Sequence, residues 1–230
     1  MTWNVHGCVG TDRRHDVARI GRVIEDIAPD IAAFQEVDSR RRAPKYGDIY
    51  TYLRGRVGDH GRQAWSISGD DGNYGQILAS RYEFADHAVH DISVPGREPR
   101  KVIEAWIRTP AMPFRVLATH LGIGRRERRR QAARIREIIA QDLTTPLVLL
   151  GDLNEWNPAG AVWKTLAPMF PCASRLASFP ARFPTLALDR ILIRPAGSRA
   201  QFLTVREARP ASDHLPVIAD LDLTTVEAAP

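Results

Sequence analysis

Short apolar segments alternate with helical patterns along the whole chain, and this alternation limits the folds that the chain can adopt. The segment Ile31–Val37 is typical of a buried strand, and Asp16–Ala28 before it carries apolar side chains at helical spacing. Strands that alternate with helices in this way are typical of the α/β class. Segment 40–61 follows no clear pattern. The other predicted strands are Thr2–His6, Ala64–Ser68, Gln76–Ser80, Glu83–Ile92, Val102–Arg108, Phe114–His120, Leu147–Leu150, Leu188–Ile193, Phe202–Arg206 and Pro216–Leu223, and the other predicted helices are Arg125–Gln141 and Trp156–Leu166.

Length and composition exclude several classes of protein. A chain of 230 residues can bury its own core, and no linker divides it, so we predict a single domain over residues 1–230. Its two cysteines, Cys8 and Cys172, exclude a disulfide framework. The apolar run Leu147–Leu150 is far shorter than the roughly 20 residues of a membrane span. The chain opens without a signal-peptide pattern, so we expect a monomeric cytoplasmic protein with no stable membrane insertion.

The charge balance is basic, with a net charge of +5 and a pI of about 9.6. A basic surface suits an anionic partner such as nucleic acid, a phospholipid head group or a phosphate ester. Base composition is the alternative explanation, because only three of the 32 cationic residues are lysines and Arg, Ala and Pro all have GC-rich codons.

Polar side chains follow the apolar runs at the points where the predicted strands end. Because an unpaired polar group is costly to bury, such positions are informative, and ligands of sheet-based folds gather beyond strand ends. Asn4 and His6 are two residues apart on the first predicted strand and would share a face. The other residues of this kind are Glu36, His120, Asp152, Asn154, Asp189, Asp213 and His214.

This set combines carboxylates, side-chain amides and imidazoles. Its oxygen-rich ligands suit Mg²⁺ or Mn²⁺ better than Zn²⁺. Imidazoles beside a hard cation suit phosphoryl chemistry, because both neutralise charge that develops on phosphorus oxygens. Taken singly, each residue has a simpler interpretation: Asp and Asn at strand ends form turns or caps, Glu36 could pair with an arginine, and His120 could be a core histidine.

Six short motifs contain these polar residues and run from the first residues to near the end of the chain. They are Thr2-Trp3-Asn4-Val5, Gln35-Glu36-Val37, Thr119-His120-Leu121, Gly151-Asp152-Leu153-Asn154, Leu188-Asp189-Arg190-Ile191 and Ser212-Asp213-His214-Leu215-Pro216. In this order the motifs resemble those of the endonuclease/exonuclease/phosphatase superfamily. The resemblance implies a four-layer α/β sandwich, in which helices flank two packed mixed β-sheets as in deoxyribonuclease I.

On the metal side, the resemblance implies that Glu36 binds a divalent cation, Mg²⁺ or Mn²⁺. Asn4 resembles its neighbour in the metal site, and Asp213 resembles a further carboxylate on that side. Arg97 and Arg100 lie in a segment that resembles the one supplying a phosphate-contacting arginine. Either arginine could serve, and a solvated turn is the alternative.

On the catalytic side, the resemblance assigns Asp152 to orienting or activating the attacking water and Asn154 to binding that water or the phosphate. His214 resembles the histidine that contacts the scissile phosphate, with Asp189 as the carboxylate that orients it. His120 resembles a second active-site histidine.

The chain departs from the family pattern at three points, two of which concern the exonuclease III and abasic-site endonuclease branch. That branch carries Asp where this chain has His6, and Tyr where it has His120. The chain also opens almost at its first motif, whereas the family usually has residues before it, so we expect a misassigned start or a shortened strand. Two further segments, Phe179–Pro184 and Arg125–Arg130, are interpreted as a surface loop and a solvated helix face, with substrate contact as the alternative for each.

Together these features predict a metal-dependent phosphoesterase that hydrolyses a phosphodiester by in-line attack of water, without a covalent enzyme intermediate. Nucleic acid is the leading substrate because of the basic charge. The alternative is a phospholipid head-group or inositol-phosphate ester, and a third hypothesis is an inactive binding module.

Overall fold

A computed structural model describes residues 1–41 and 43–223 of the chain, which form two six-stranded sheets flanked by helices. This architecture confirms the predicted four-layer α/β sandwich. The first sheet contains β1 (Thr2–Asn4), β2 (Ile31–Asp38), β3 (His60–Gly69), β4 (Gly72–Ser80), β11 (Arg199–Thr204) and β12 (Val217–Asp222), and the second contains β5 (Phe84–Asp91), β6 (Lys101–Arg108), β7 (Pro113–His120), β8 (Leu147–Asp152), β9 (Cys172–Ala173) and β10 (Asp189–Arg194). The helices are α1 (Val17–Ile27), α2 (Ile49–Gly55), α3 (Arg125–Ala140) and α4 (Ala161–Leu166), and four short 3₁₀ turns are His6–Cys8, Pro44–Tyr46, Ala167–Met169 and Arg206–Ala208.

Three apolar clusters hold the layers together. One lies between the sheets, where Leu78 of β4 and Ile103 of β6 are fully buried. A second lies under α1 and α2, and a third lies under α3 and α4. Burial of apolar surface is the main favourable contribution to folding, so each helix is stabilised by the sheet that it covers.

Helix α1 shows how local sequence sets the bounds of an element. The Asp16 side chain accepts a hydrogen bond from the Arg19 amide at 2.9 Å and caps the amino terminus. At the other end Ala28 adopts a left-handed conformation with a φ of 48°, which ends the helix. The predicted segment Asp16–Ala28 is therefore the helix together with its two caps.

Strand direction brings the carboxyl ends of four strands to one edge of the sandwich. β1 runs parallel to β2, and β7 runs parallel to β8. β10 is antiparallel to β8, so that Asp189 at its start lies opposite Asp152 at the end of β8. β12 is antiparallel to β1, so the residues that precede it lie beside the end of β1.

The structure corrects the sequence interpretation at several points, and β3 and β4 each begin four residues before the strands predicted there. β1 ends at Asn4, and His6 begins a 3₁₀ turn with a φ of 48°, so the two do not share a strand face. Within Trp156–Leu166 only Ala161–Leu166 is helical, because Gly160 is the N-cap. Helix α2 occupies a segment that showed no clear pattern, and the strand predicted at Phe202–Arg206 begins three residues earlier, at Arg199. None of the described helices has the length and hydropathy needed to span a membrane.

A buried ion pair joins the second sheet to the end of α3. Arg115 on β7 donates a hydrogen bond to Glu104 on β6, and both side chains are almost fully buried. The guanidinium also donates to the carbonyl oxygens of Ile138 at 2.7 Å and Asp142 at 3.1 Å. A cation at a helix carboxyl terminus is favourable because it interacts with the helix dipole.

Glu104→Ala should lower the free energy of unfolding by about 3–5 kcal/mol, because it leaves the Arg115 charge buried without its carboxylate. Urea denaturation followed by circular dichroism measures the change. The matched control is Glu137→Ala, which breaks a pair whose Arg134 and Glu137 side chains are 63% and 56% exposed and should cost less than about 1 kcal/mol. Equal losses in the two variants would contradict a stabilising role for the buried pair.

Candidate active site

Asn4 bridges two carboxylates at the edge where the strands end. Its Nδ2 donates hydrogen bonds to Glu36 Oε1 at 2.8 Å and to Asp152 Oδ2 at 3.1 Å, while its Oδ1 accepts from the His6 amide at 3.0 Å. Glu36 has a φ of 55° and lies where the pairing of β2 with β4 is irregular. This conformation is unusual for a residue with a side chain and marks a locally strained position of the kind that functional sites use.

Asp152 is buried at the centre of the cluster. Its side chain accepts a hydrogen bond from the Asn154 amide at 2.9 Å, in addition to the bond from Asn4. Burial, followed by the charge of Asp189, raises the pKa of Asp152 to about 6. A carboxylate with this pKa can accept a proton near neutral pH.

Asp189 and His214 form a buried pair. His214 Nδ1 lies 2.7 Å from Asp189 Oδ2, and the Ser178 hydroxyl donates to the same oxygen at 2.5 Å. Burial opposes the imidazolium form, but the charge and hydrogen bond of Asp189 outweigh it, with help from Asp152 and Asp213, and raise the pKa of His214 to about 10. His214 Nε2 lies 4.0 Å from Asp152 Oδ2. The pair therefore presents a charged donor beside a carboxylate.

His120 has the opposite protonation state. Its Nδ1 lies 3.0 Å from Arg100 Nη1, and because a guanidinium only donates, Nδ1 is the acceptor and Nε2 carries the hydrogen. Burial, Arg100 and His214 hold the pKa of His120 well below its usual range. Nε2 lies 3.6 Å from Asp152 Oδ2 and 4.0 Å from Glu36 Oε1. His120 is thus a neutral imidazole that turns its N–H toward the carboxylates.

The two arginines named from the sequence lie in different surroundings. Arg100 is buried, and its Nη1 contacts Glu98 Oε1 at 3.1 Å as well as His120. Arg97 is exposed in the turn that precedes it. The structure therefore brings Arg100 into the cluster, whereas Arg97 has no contact with the cluster among the hydrogen bonds and ion pairs of the described residues.

Asp213 and Asn154 lie at the rim of the cluster. The Asp213 carboxylate is 3.5 Å from His6 Nδ1, and its side chain is 37% exposed. Its neighbour Ser212 donates a hydrogen bond to the Asn4 carbonyl oxygen at 2.7 Å, which holds the segment beside β1. Asn154 has a φ of 49° and donates through Nδ2 to the Leu121 carbonyl oxygen at 2.8 Å. Neither side chain contacts Glu36 among the hydrogen bonds and ion pairs of the described residues.

Sequence reasoning missed Ser178 and Tyr74, and it interpreted the segment that contains Phe179 as a surface loop. Ser178 shares an Asp189 oxygen with His214, and the Phe179 ring lies 4.7 Å from the His214 ring. Burial, with the charge of Glu36 as the next cause, raises the pKa of Tyr74. Only Phe179 carried a signal, because it opens a proline-rich loop shortly before Asp189.

The donor set fits a hard divalent cation. Glu36 is partly exposed, so its carboxylate can be reached from solvent, whereas Asp152 and Asp189 are buried. Carboxylate and amide oxygens are the ligands that Mg²⁺ and Mn²⁺ prefer. The buried Asp189 Oδ1 has no hydrogen-bond partner in the described part of the chain.

A family model and a relative of similar length both match nearly the whole chain. The model of the endonuclease/exonuclease/phosphatase family matches residues 1–214. The uncharacterized protein YbhP of Escherichia coli K12 is 27% identical over 241 residues, which cover 97% of this chain and 95% of the relative.

Solved structures share the fold at low sequence identity. A conserved protein of unknown function from Enterococcus faecalis V583 is 20% identical with a TM-score of 0.76, covering 96% of this chain and 98% of that one. The mannosyl-6-phosphatase Bt3783 of Bacteroides thetaiotaomicron is 17% identical with a TM-score of 0.75 and the same coverage. The catalytic domain of human nocturnin is 18% identical with a TM-score of 0.74, covering 96% of this chain and 92% of that one.

Proposed function

This chain belongs to the endonuclease/exonuclease/phosphatase family, and from that premise we propose that it is a metal-dependent phosphoesterase that hydrolyses a phosphodiester by in-line attack of water. The observation that carries the proposal is the convergence of Asn4, Glu36, Asp152 and the Asp189–His214 pair at one edge of the sandwich. We take the enzyme to be a single-domain monomer of the cytoplasm.

Asp152 and His214 supply the proton transfers and the charge. Asp152 accepts a proton from water as the water oxygen attacks phosphorus, and its pKa of about 6 leaves it ionised at neutral pH. His214 is charged, and it donates from Nε2 to a phosphoryl oxygen as negative charge develops there. Asp189 holds the ring in place and keeps it protonated. Asn154 is proposed to orient the water or the phosphate.

Glu36, with Asn4 and Asp213, is proposed to hold Mg²⁺ or Mn²⁺. When bound, such an ion polarises the phosphoryl group and neutralises its developing charge. His120, with its neutral N–H, is proposed to donate to a phosphorus oxygen or to the leaving group, while Arg100 and Arg97 contact the substrate phosphate.

Nucleic acid is the proposed substrate, because the net charge of +5 favours a polyanion. A phospholipid head group or an inositol phosphate is the second candidate, since it offers the same phosphoester chemistry. Salt separates the two: hydrolysis of nucleic acid should weaken steeply with added salt, whereas lipid hydrolysis requires a vesicle or micelle surface.

The direct test is hydrolysis of bis-p-nitrophenyl phosphate and p-nitrophenyl phosphate with Mg²⁺, Mn²⁺ or EDTA. We expect diester cleavage that needs the metal, and EDTA should lower the rate by at least about a hundredfold, because the metal supplies several kcal/mol of charge stabilisation. Cleavage of the monoester alone would replace the diesterase by a phosphatase. Diester cleavage that is unchanged in EDTA would contradict the proposed metal dependence.

A further inference from the structure

A groove of about 940 Å³ lies beside the loops that follow β8 and precede β10, on the side of the second sheet that α4 covers. Its lining includes Trp156 and Arg175, which are exposed, and Arg190, which is buried. The proposed mechanism uses none of these three side chains.

The groove adjoins the site through two loops. Trp156 follows Asn154 by two residues, and the Leu153 amide donates to the Leu188 carbonyl oxygen at 2.9 Å, so the two loops lie side by side. Leu186, which lines the groove, pairs with Phe179, whose ring is tilted against the His214 ring with 4.7 Å between the ring centroids. A substrate bound at His214 can therefore extend into the groove.

The charge of the groove is positive. Arg190 donates to the carbonyl oxygens of Ala187 at 2.8 Å and Ser174 at 2.6 Å, and its guanidinium stacks over Trp163 at 4.7 Å. Arg175 is exposed, and no acidic residue is among the described residues that line the groove. Burial, followed by the charge of Arg175, lowers the pKa of Arg190 to about 10, while the charge of Asp189 opposes this shift. The groove therefore suits an anion.

Trp156 is exposed on an anchored loop. The indole is 56% exposed, although the residue before it, Glu155, is buried against Arg128 with 3.6 Å between the charged groups. The Trp163 indole N–H donates to the Glu155 carbonyl oxygen at 3.1 Å. The loop is thus held from both sides while the Trp156 ring faces solvent, as a stacking platform for a planar group requires.

We propose that this groove binds the nucleotide next to the scissile phosphate, with its base stacked on Trp156 and its phosphate held by Arg175. The inference rests on the proposed function and makes it more specific: the substrate is a single-stranded nucleic acid, because a base must leave the duplex stack to lie on an aromatic side chain. Aromatic side chains in a positively charged groove are the usual means of binding such strands.

The test measures binding rather than hydrolysis. In an Asp152→Ala background, fluorescence anisotropy compares a labelled single-stranded oligonucleotide with the same strand carrying abasic linkers in place of bases. The strand with bases should bind about tenfold more tightly, as expected for one stacked base. Trp156→Ala should remove this preference and Trp156→Phe should keep most of it. Arg175→Ala should weaken the binding of both strands and lower the salt slope by about one.

The matched control is Trp65→Ala, which removes an exposed indole (46%) on β3 in the other sheet and should keep the preference for bases. A preference that survives Trp156→Ala would overturn the groove assignment. The groove assignment would also be overturned if Trp156→Ala weakened binding to phosphatidylglycerol vesicles but left binding to both oligonucleotides unchanged. If the Asp152→Ala parent binds neither strand at low salt, the proposal of a nucleic-acid substrate is contradicted. That result differs from the loss of the groove assignment alone, in which the parent binds both strands.

Discussion

Asp152→Ala should lower kcat for diester hydrolysis by about a thousandfold, within the range expected for the loss of a general base. In the structure this carboxylate is buried among Asn4, His120 and His214, and its raised pKa lets it accept a proton at neutral pH. No other described carboxylate lies at the same point between the two imidazoles. Steady-state kinetics with bis-p-nitrophenyl phosphate and saturating metal measures the loss.

The control must separate lost chemistry from lost structure. Asp86→Ala removes an exposed carboxylate on β5 and should leave kcat within about twofold of the parent, since surface substitutions away from functional sites have small effects. Both variants should keep the circular dichroism spectrum of the parent. A folded Asp152→Ala protein with near-full activity would falsify the assignment of Asp152.

The edge of the sandwich at which this site lies could be predicted from the sequence, because the polar residues of the site lie next to apolar runs. Glu36, His120 and Asp152 lie at or near the ends of β2, β7 and β8, and Asp189 opens β10, as the spacing of the runs indicates. The motif order added the resemblance from which the four-layer sandwich was predicted. The apolar runs and the individual motifs are short segments, so they can be identified without knowledge of the contacts between distant parts of the chain.

Long-range contacts could not be predicted in the same way. Ser178 and Phe179 act on the site through a loop whose path depends on its pairing with Leu186. The two-residue spacing of Asn4 and His6 suggested one strand face, but the left-handed conformation of His6 ends the strand first. The groove at Trp156 likewise exists only once α4 and β9 are in place, because its lining residues come from segments far apart in the chain.

Contact with Asp189 determines the charge of His214, and this dependence leads to a prediction about pH. The raised pKa of His214, about 10, keeps the ring protonated across the neutral range. Because the folded-state pKa lies above the ordinary value of 6.5, the stability that the pair contributes is fully present below pH 6.5 and is lost as the pH rises toward 10. A rate that requires the imidazolium should follow the same upper limit.

Asp189→Asn should therefore lower kcat at neutral pH by about a hundredfold or more, since it weakens a charged donor to the phosphoryl group. It should also move the alkaline limb of the pH–rate profile down from near pH 10, because the amide no longer favours the imidazolium. Profiles of kcat against pH for the parent and the variant measure both effects. A general loss of structure would lower kcat at every pH, whereas Asp189→Asn should also move the alkaline limb to lower pH.

Ser178→Ala is the matched control, because it removes a hydrogen bond at 2.5 Å to the same carboxylate oxygen but leaves the charge in place. It should lower kcat by less than Asp189→Asn does, because it removes one hydrogen bond to the carboxylate but keeps the carboxylate charge, and it should leave the alkaline limb near its original pH. An Asp189→Asn profile that falls in height without shifting would show that Asp189 only positions the ring. A profile unchanged in both height and position would remove His214 from the role of charged donor.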